Sequence, residues 1–177
     1  MRSWKRSLLG FVTIATITHF AFHVGLPYLI MSRAINGIAK KAGGFNAPIS
    51  TNLPDASSRD IVKPSPDLLY TACAFDIDDG PVLIGGTPSQ EYWSMALYAS
   101  NTDNFFVIND RQAKKGPTFV VIAPLRMRDR IPVQYSSLKI VEPPSNKGIA
   151  LFRYLVLDQE GLANAKEAQS TAECRRL

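Results

Sequence analysis

Histidine is scarce in this 177-residue chain. There are two, His19 and His23, and none follows. Everything after residue 23 therefore lacks the imidazole that Ser-His-Asp triads and most zinc sites require. Acidic residues are missing from the first 43 positions, which carry Arg2, Lys5, Arg6, Arg33, Lys40 and Lys41. All 15 acidic residues and 14 of the 20 basic ones lie beyond that point, so the formal net charge of +5 belongs to the N-terminal segment. The remainder is nearly neutral and has no basic stripe, which argues against nucleic-acid binding. No P-loop, dinucleotide glycine fingerprint or HExxH pattern is present. With 46% apolar and 20% charged residues, the chain is not disordered overall.

What the chain does have is a long uncharged run. Leu8 to Met31 is 24 residues without a formal charge. About 20 apolar residues in a helix span a bilayer core, so this run is long enough to cross one. Pro27, near its end, is tolerated in a membrane helix. Three basic residues precede the run, and only Arg33 follows closely. The positive-inside rule then puts the N-terminus in the cytoplasm and the bulk of the chain outside it. A cleaved signal peptide is the competing reading, because Ser32-Arg33-Ala34 loosely imitates a cleavage site. The apolar run is too long for a signal h-region, which favours an uncleaved anchor.

His19 and His23 are four apart and share one helix face. Three readings stand for them: a haem, metal or proton-relay site completed by a partner chain, helix–helix packing, or no special role. Residues 34–42 read as a short amphipathic extension with Ile35 and Ile38 on one side, stopped by Gly43-Gly44. Residues 44–67 contain Pro48, Pro54, Pro64 and Pro66 among polar residues and read as an extended tether.

From Leu68 the pattern changes to short apolar runs split by turn residues. Strands are expected at Leu68–Ile77, Val82–Ile84, Tyr92–Ala99, Phe105–Ile108, Phe119–Ala123, Ser136–Val141 and Ile149–Leu157. The first two are expected to form a hairpin around Asp78-Asp79-Gly80-Pro81, and the last two a pair around Pro143-Pro144. In Tyr92–Ala99, Trp93, Met95, Leu97 and Ala99 face one way. Asp158 is a candidate N-cap for a helix from about Gln159 to Ala172. The fold expected is mainly β: an N-terminal transmembrane helix (1–43), a Pro-rich linker (44–67) and an antiparallel sandwich or barrel-like domain of about seven strands with a C-terminal helix (68–177).

Several segments in that domain resemble the bacterial family catalogued as domain of unknown function 1254. They are Val62 to Thr71, Phe75-Asp76-Ile77 with Gly80-Pro81-Val82, Tyr92-Trp93-Ser94, Thr102-Asp103-Asn104-Phe105, and Phe152-Arg153-Tyr154-Leu155 with Gly161-Leu162. Pro66, Asp67 and Leu68 depart from the Asn-Asp-Thr that the family often has there. Many larger members carry a second β-rich domain, catalogued as 1214. The resemblance implies a membrane-anchored form without that domain, whose partner half is a separate protein. The family has no established general activity, so the resemblance implies no reaction.

The candidate chemistry is thin. Asp76, Asp78 and Asp79 form the densest carboxylate cluster, which suits a divalent cation or, more simply, a turn. Arg126, Arg128 and Arg130 alternate, so a strand would place them on one face, for anion binding or edge protection. Arg153 interrupts an apolar strand and, if buried, needs a carboxylate or several carbonyl partners; Asp67 and Asp76 are the candidate carboxylates. Tyr70, Tyr92, Asn104 and Arg153 are the candidate ligand-binding residues, with Tyr98 on the same concavity. Cys73 and Cys174 either form a disulfide outside the cytoplasm or leave Cys73 as a buried thiol. No catalytic residue, metal site or cofactor is assigned. The function expected is binding of a partner protein or envelope assembly. The alternative is a ligand-binding or enzymatic half-domain that needs a second domain to complete its site.

Overall fold

Helix α1 continues well past the apolar run, from Arg2 to Ala42 without a break. The computed structural model describes residues 2–58, 64–113 and 116–177, with side chains from Trp4 onward. At about 1.5 Å per residue, α1 is about 60 Å long. It is long and apolar enough to cross a membrane. Its side chains are exposed from Trp4 to Ile30, apart from the half-buried Pro27. At Met31 this changes. Met31, Ile35 and Ala39 are buried in one cluster with Ala74 and Ile149. The amphipathic extension is thus the last three turns of the same helix, with its apolar stripe seated on the domain. Gly44 N–H donates to Ala39 O at 2.9 Å, and Gly43 takes the left-handed φ of 79° that a helix C-terminus favours.

The domain is two packed sheets. Nine strands are present among the described residues: β1 Pro48–Ser50, β2 Leu68–Asp76, β3 Val82–Gly86, β4 Trp93–Ala99, β5 Asn104–Asn109, β6 Thr118–Ile122, β7 Lys139–Val141, β8 Lys147–Leu155 and β9 Glu173–Arg176. One sheet has the order β1-β2-β8-β4-β5 and is antiparallel throughout. The other has the order β7-β6-β3-β9, with β6 and β7 parallel. Trp93, Met95, Leu97 and Ala99 turn inward and are buried, as their alternation requires. They meet Leu69, Phe75, Phe152 and Tyr154 from the same sheet and Val82, Ile84, Val120 and Ile122 from the other. Helix α2, Gln159–Ser170, is capped by Asp158, whose carboxylate accepts from Gly161 N–H at 2.8 Å. Ala165 and Ala168 of α2 enter the same core. Cys73 of β2 and Cys174 of β9 are joined as a disulfide across the two sheets, with Cα atoms 6.4 Å apart.

Four local expectations change. Residues 48–50 are not tether but an edge strand, with Pro48 opposite Cys73. Nearby, Asn46 exchanges two 2.8 Å hydrogen bonds with the backbone of Asp76. The part of the expected tether at 59–63, including Val62 and Lys63 of the family-like segment, lies outside the described residues. The turn at Asp78–Pro81 does not close a hairpin, because β2 and β3 belong to different sheets. Similarly, β7 pairs with β6 and not with β8. Finally, Arg126, Arg128 and Arg130 lie on a 3-10 helix, Leu125–Arg130, between Pro124 and Pro132. Prolines at both ends supply no N–H to a strand ladder, so the segment coils instead of extending.

Candidate functional site

The two faces of the five-stranded sheet are covered differently. The inner face meets the second sheet. On the outer face, the register aligns Tyr98 with Ile149 and Ala74, Ala96 with Leu151 and Ala72, and Ser94 with Arg153 and Tyr70. Opposite residues in an antiparallel ladder share a face, so these rows form a largely apolar surface. The end of α1 seats on the Ile149 and Ala74 row. In the next rows Ala72, Leu151 and Arg153 stay half-buried, while Ala96, Ser94 and Tyr70 are buried.

The result is a groove of about 580 Å³ between helix and sheet. The helix wall consists of Met31, Arg33, Ala34, Gly37, Ile38 and Lys41. The sheet wall consists of Ile49, Thr51, Tyr70, Ala72, Ile149 and Leu151, with Tyr98 and Thr102. The groove stays open because its walls are short where they face each other. Ala34 and Ala72 carry one carbon each. A Cβ added at Gly37 would meet no atom within 4 Å. The polar groups are few. The Tyr70 hydroxyl accepts from Ser65 N–H at 3.0 Å. The Tyr98 hydroxyl lies 3.3 Å from Arg153 Nη2, which donates to it.

Of the candidate ligand-binding residues, the structure brings Tyr70 into the groove and sets Arg153 behind its wall through Tyr98. Tyr92 is exposed at the entry to β4, and Asn104 is exposed at the start of β5; neither lines the groove. Arg153 is half-buried on the outer face and reaches a phenol, not a carboxylate. Asp67 is exposed, and Asp76 pairs with Lys147 at 3.1 Å. The expected ion pair is not needed because the guanidinium keeps access to water.

The other carboxylates of the cluster are engaged locally. Asp78 accepts from Asn146 at 2.6 Å, and Asp79 pairs with Arg176 at 2.9 Å. Arg130 donates to the Asp79 carbonyl at 2.6 Å. Among the described residues, no three His, Cys, Asp or Glu side chains are placed to hold a metal ion. His19 and His23 stack at 6.3 Å on the exposed part of α1, away from the groove.

Three buried side-chain atoms have no hydrogen-bond partner among the described residues: Trp93 Nε1, Ser94 Oγ and Tyr154 Oη. Trp93 and Tyr154 face the core and sit opposite each other in the ladder. Burial pushes the Tyr154 phenol up to about 12. The nearby Trp93 indole and Thr71 hydroxyl oppose that shift without reaching hydrogen-bond geometry. The Trp93 and Tyr154 groups belong to the core; Ser94 lies on the outer face, and none of the three lines the groove.

The groove residues that the sequence left unmarked are Ala34, Gly37, Ala72 and Leu151. The amphipathic pattern of residues 34–42 signalled that a helix face was seated. Nothing local signalled that its small residues would face small residues on a strand.

Among the solved structures that this chain matches, one with a TM-score above 0.5 shares the fold. A crystal structure from Vibrio parahaemolyticus superposes with a TM-score of 0.55 at 17% identity, covering 64% of this chain and 28% of that one. An uncharacterised protein from Burkholderia cenocepacia matches with a TM-score of 0.49 at 17% identity, covering 86% of this chain and 41% of its own. The chain thus spans well under half the length of either. No curated protein is similar enough to count as a match. Residues 45–176 match the model of a family described as a protein of unknown function, and that match covers both sheets and α2. On that extent of agreement, the chain belongs to the DUF1254 family.

Proposed function

We propose that the protein is a membrane-anchored binding domain that holds an apolar or amphipathic small ligand in the groove between α1 and the five-stranded sheet. The observation that carries this reading is the groove itself. Its volume falls within the range of small-molecule sites, and it is lined mostly by apolar side chains with a few polar groups. A helix seated on an apolar sheet face ordinarily packs it to the density of a protein interior. Here the small residues at 34, 37 and 72 leave the space between the two unfilled.

The position of the groove supports a membrane setting. The exposed apolar stretch of α1 ends at Ile30, and the groove begins at Met31. The basic residues ahead of the run favour an outward-facing domain. The Cys73–Cys174 disulfide is in keeping with an oxidising compartment such as the periplasm.

The test uses the full chain in mild detergent with a fluorescent fatty-acid analogue as probe. Gly37→Leu fills the groove from a position with open space, and it replaces a helix-interior glycine with a better helix former. The variant is expected to fold as well as the wild type and to lose probe binding at least tenfold. Equal binding by both proteins would show that the groove is not the site.

A further inference from the structure

We infer that the ligand is an anionic membrane lipid, with one acyl chain in the groove and its phosphate held at Arg33. The inference rests on the groove being a ligand site and adds the chemical class. Three observations carry it.

The first is size. A methylene occupies about the same volume as a water, roughly 30 Å³, so the groove takes on the order of 20 of them, which is one fatty acyl chain.

The second is charge. Arg33, Gly37 and Lys41 follow at four-residue spacing and form one line along the helix wall. Arg33 lies on the helix wall of the groove, and no acidic side chain lines the groove among the described residues. Across from that wall, the Tyr98 hydroxyl carries the Arg153 guanidinium behind it. A guanidinium offers a planar fork of donors that matches a phosphate, and Arg33 is exposed enough to present it.

The third is continuity. Arg33 lies three residues beyond Ile30, the last exposed large apolar side chain of α1, at headgroup level if the preceding run fills the bilayer. The groove begins at Met31, so its near end adjoins the leaflet surface in this reading. The bilayer is therefore the source of the ligand. An extended peptide fits less well, because the groove lies over a sheet face whose backbone groups are already paired in the ladder, not along a free strand edge.

The experiment is native mass spectrometry of the full chain in mild detergent, titrated with phosphatidylglycerol or phosphatidylcholine of identical acyl chains. Wild type is expected to retain phosphatidylglycerol about tenfold more tightly. Arg33→Gln should bring it down to the phosphatidylcholine level, and Arg33→Lys should keep part of the preference. Gly37→Leu should abolish retention of both lipids. Equal retention of the two lipids by wild type, lost in Gly37→Leu, would overturn the anionic assignment and leave the groove as an apolar-ligand site. A phosphatidylglycerol preference that survives Gly37→Leu would place selectivity on the surface charge and overturn the proposal. Retention of neither lipid, together with fatty-acid probe binding unaffected by Gly37→Leu, would overturn both readings.

Discussion

Phe152 and Leu151 are neighbours on β8 and live in different environments. Phe152 points inward and is fully buried between the sheets, with the Trp93 ring 6.5 Å away. Leu151 points outward into the groove and is only half-buried. The inner face is closed by large interlocking side chains and a covalent bridge. The outer face is closed by one helix that touches part of it. The contrast separates two states of apolar surface, one packed to hold the domain together and one left partly open. It also gives numbers that differ between adjacent residues.

The largest expected effect lies on the inner face. Phe152→Ala should destabilise the domain by about 4 kcal/mol, the usual cost of emptying a buried aromatic site. Leu151→Ala should cost about 1 kcal/mol or less, because the side chain borders open space. Denaturant unfolding of the two variants in the same detergent measures the gap. Similar costs would mean that both faces are packed alike and that the groove closes in solution.

The bridge comes next. Cys73 and Cys174 enclose 101 residues of sequence separation. Replacing both with alanine should cost about 3 kcal/mol, read as a lower denaturation midpoint, while leaving groove binding intact. Loss of probe binding in a variant that is still folded would show that the inner staple also sets the outer groove.

A smaller effect comes from Tyr154. Its folded pKa is raised to about 12, above the ordinary phenol value of 10.0, because burial disfavours the phenolate. The stability due to the neutral phenol is therefore complete below about pH 10. It is lost as pH rises through 12, approaching about 3 kcal/mol for a shift of about 2 units but only about 1 kcal/mol by pH 11. Comparing wild type with Tyr154→Phe at about pH 9 and pH 11 isolates this loss, which the variant should not show. A variant with the same alkaline loss would assign it elsewhere.

The residues show why part of this arrangement was legible in the sequence. The alternation in Tyr92–Ala99 marked the inward side chains, and Asp158 ahead of an Ala-rich stretch marked the start of α2. Both signals are local. The pairing of strands is not: Asp78–Pro81 looks like a hairpin turn, but it carries the chain from one sheet to the other. Pro48-Ile49-Ser50 is too short to show any period, and only its partner on β2 makes it a strand. Alternating arginines at 126, 128 and 130 imitated a strand that the flanking prolines prevented. The groove was the least legible feature. Ala34 and Gly37 are more than 30 residues from Ala72, and small side chains announce a gap only once they meet.

The unbroken course of α1 also fixes how the domain is mounted. A flexible tether over residues 44–67 would have let the domain wander roughly 27 Å from its anchor, as a 24-residue coil does. Instead, the helix that enters the bilayer in the membrane-anchored reading is the same continuous helix that clasps the sheet at Met31, Ile35 and Ala39. The domain is then mounted on a stalk and not on a leash. The orientation of the domain then follows that of the helix beyond Pro27, and in this reading whatever binds there comes to the bilayer surface.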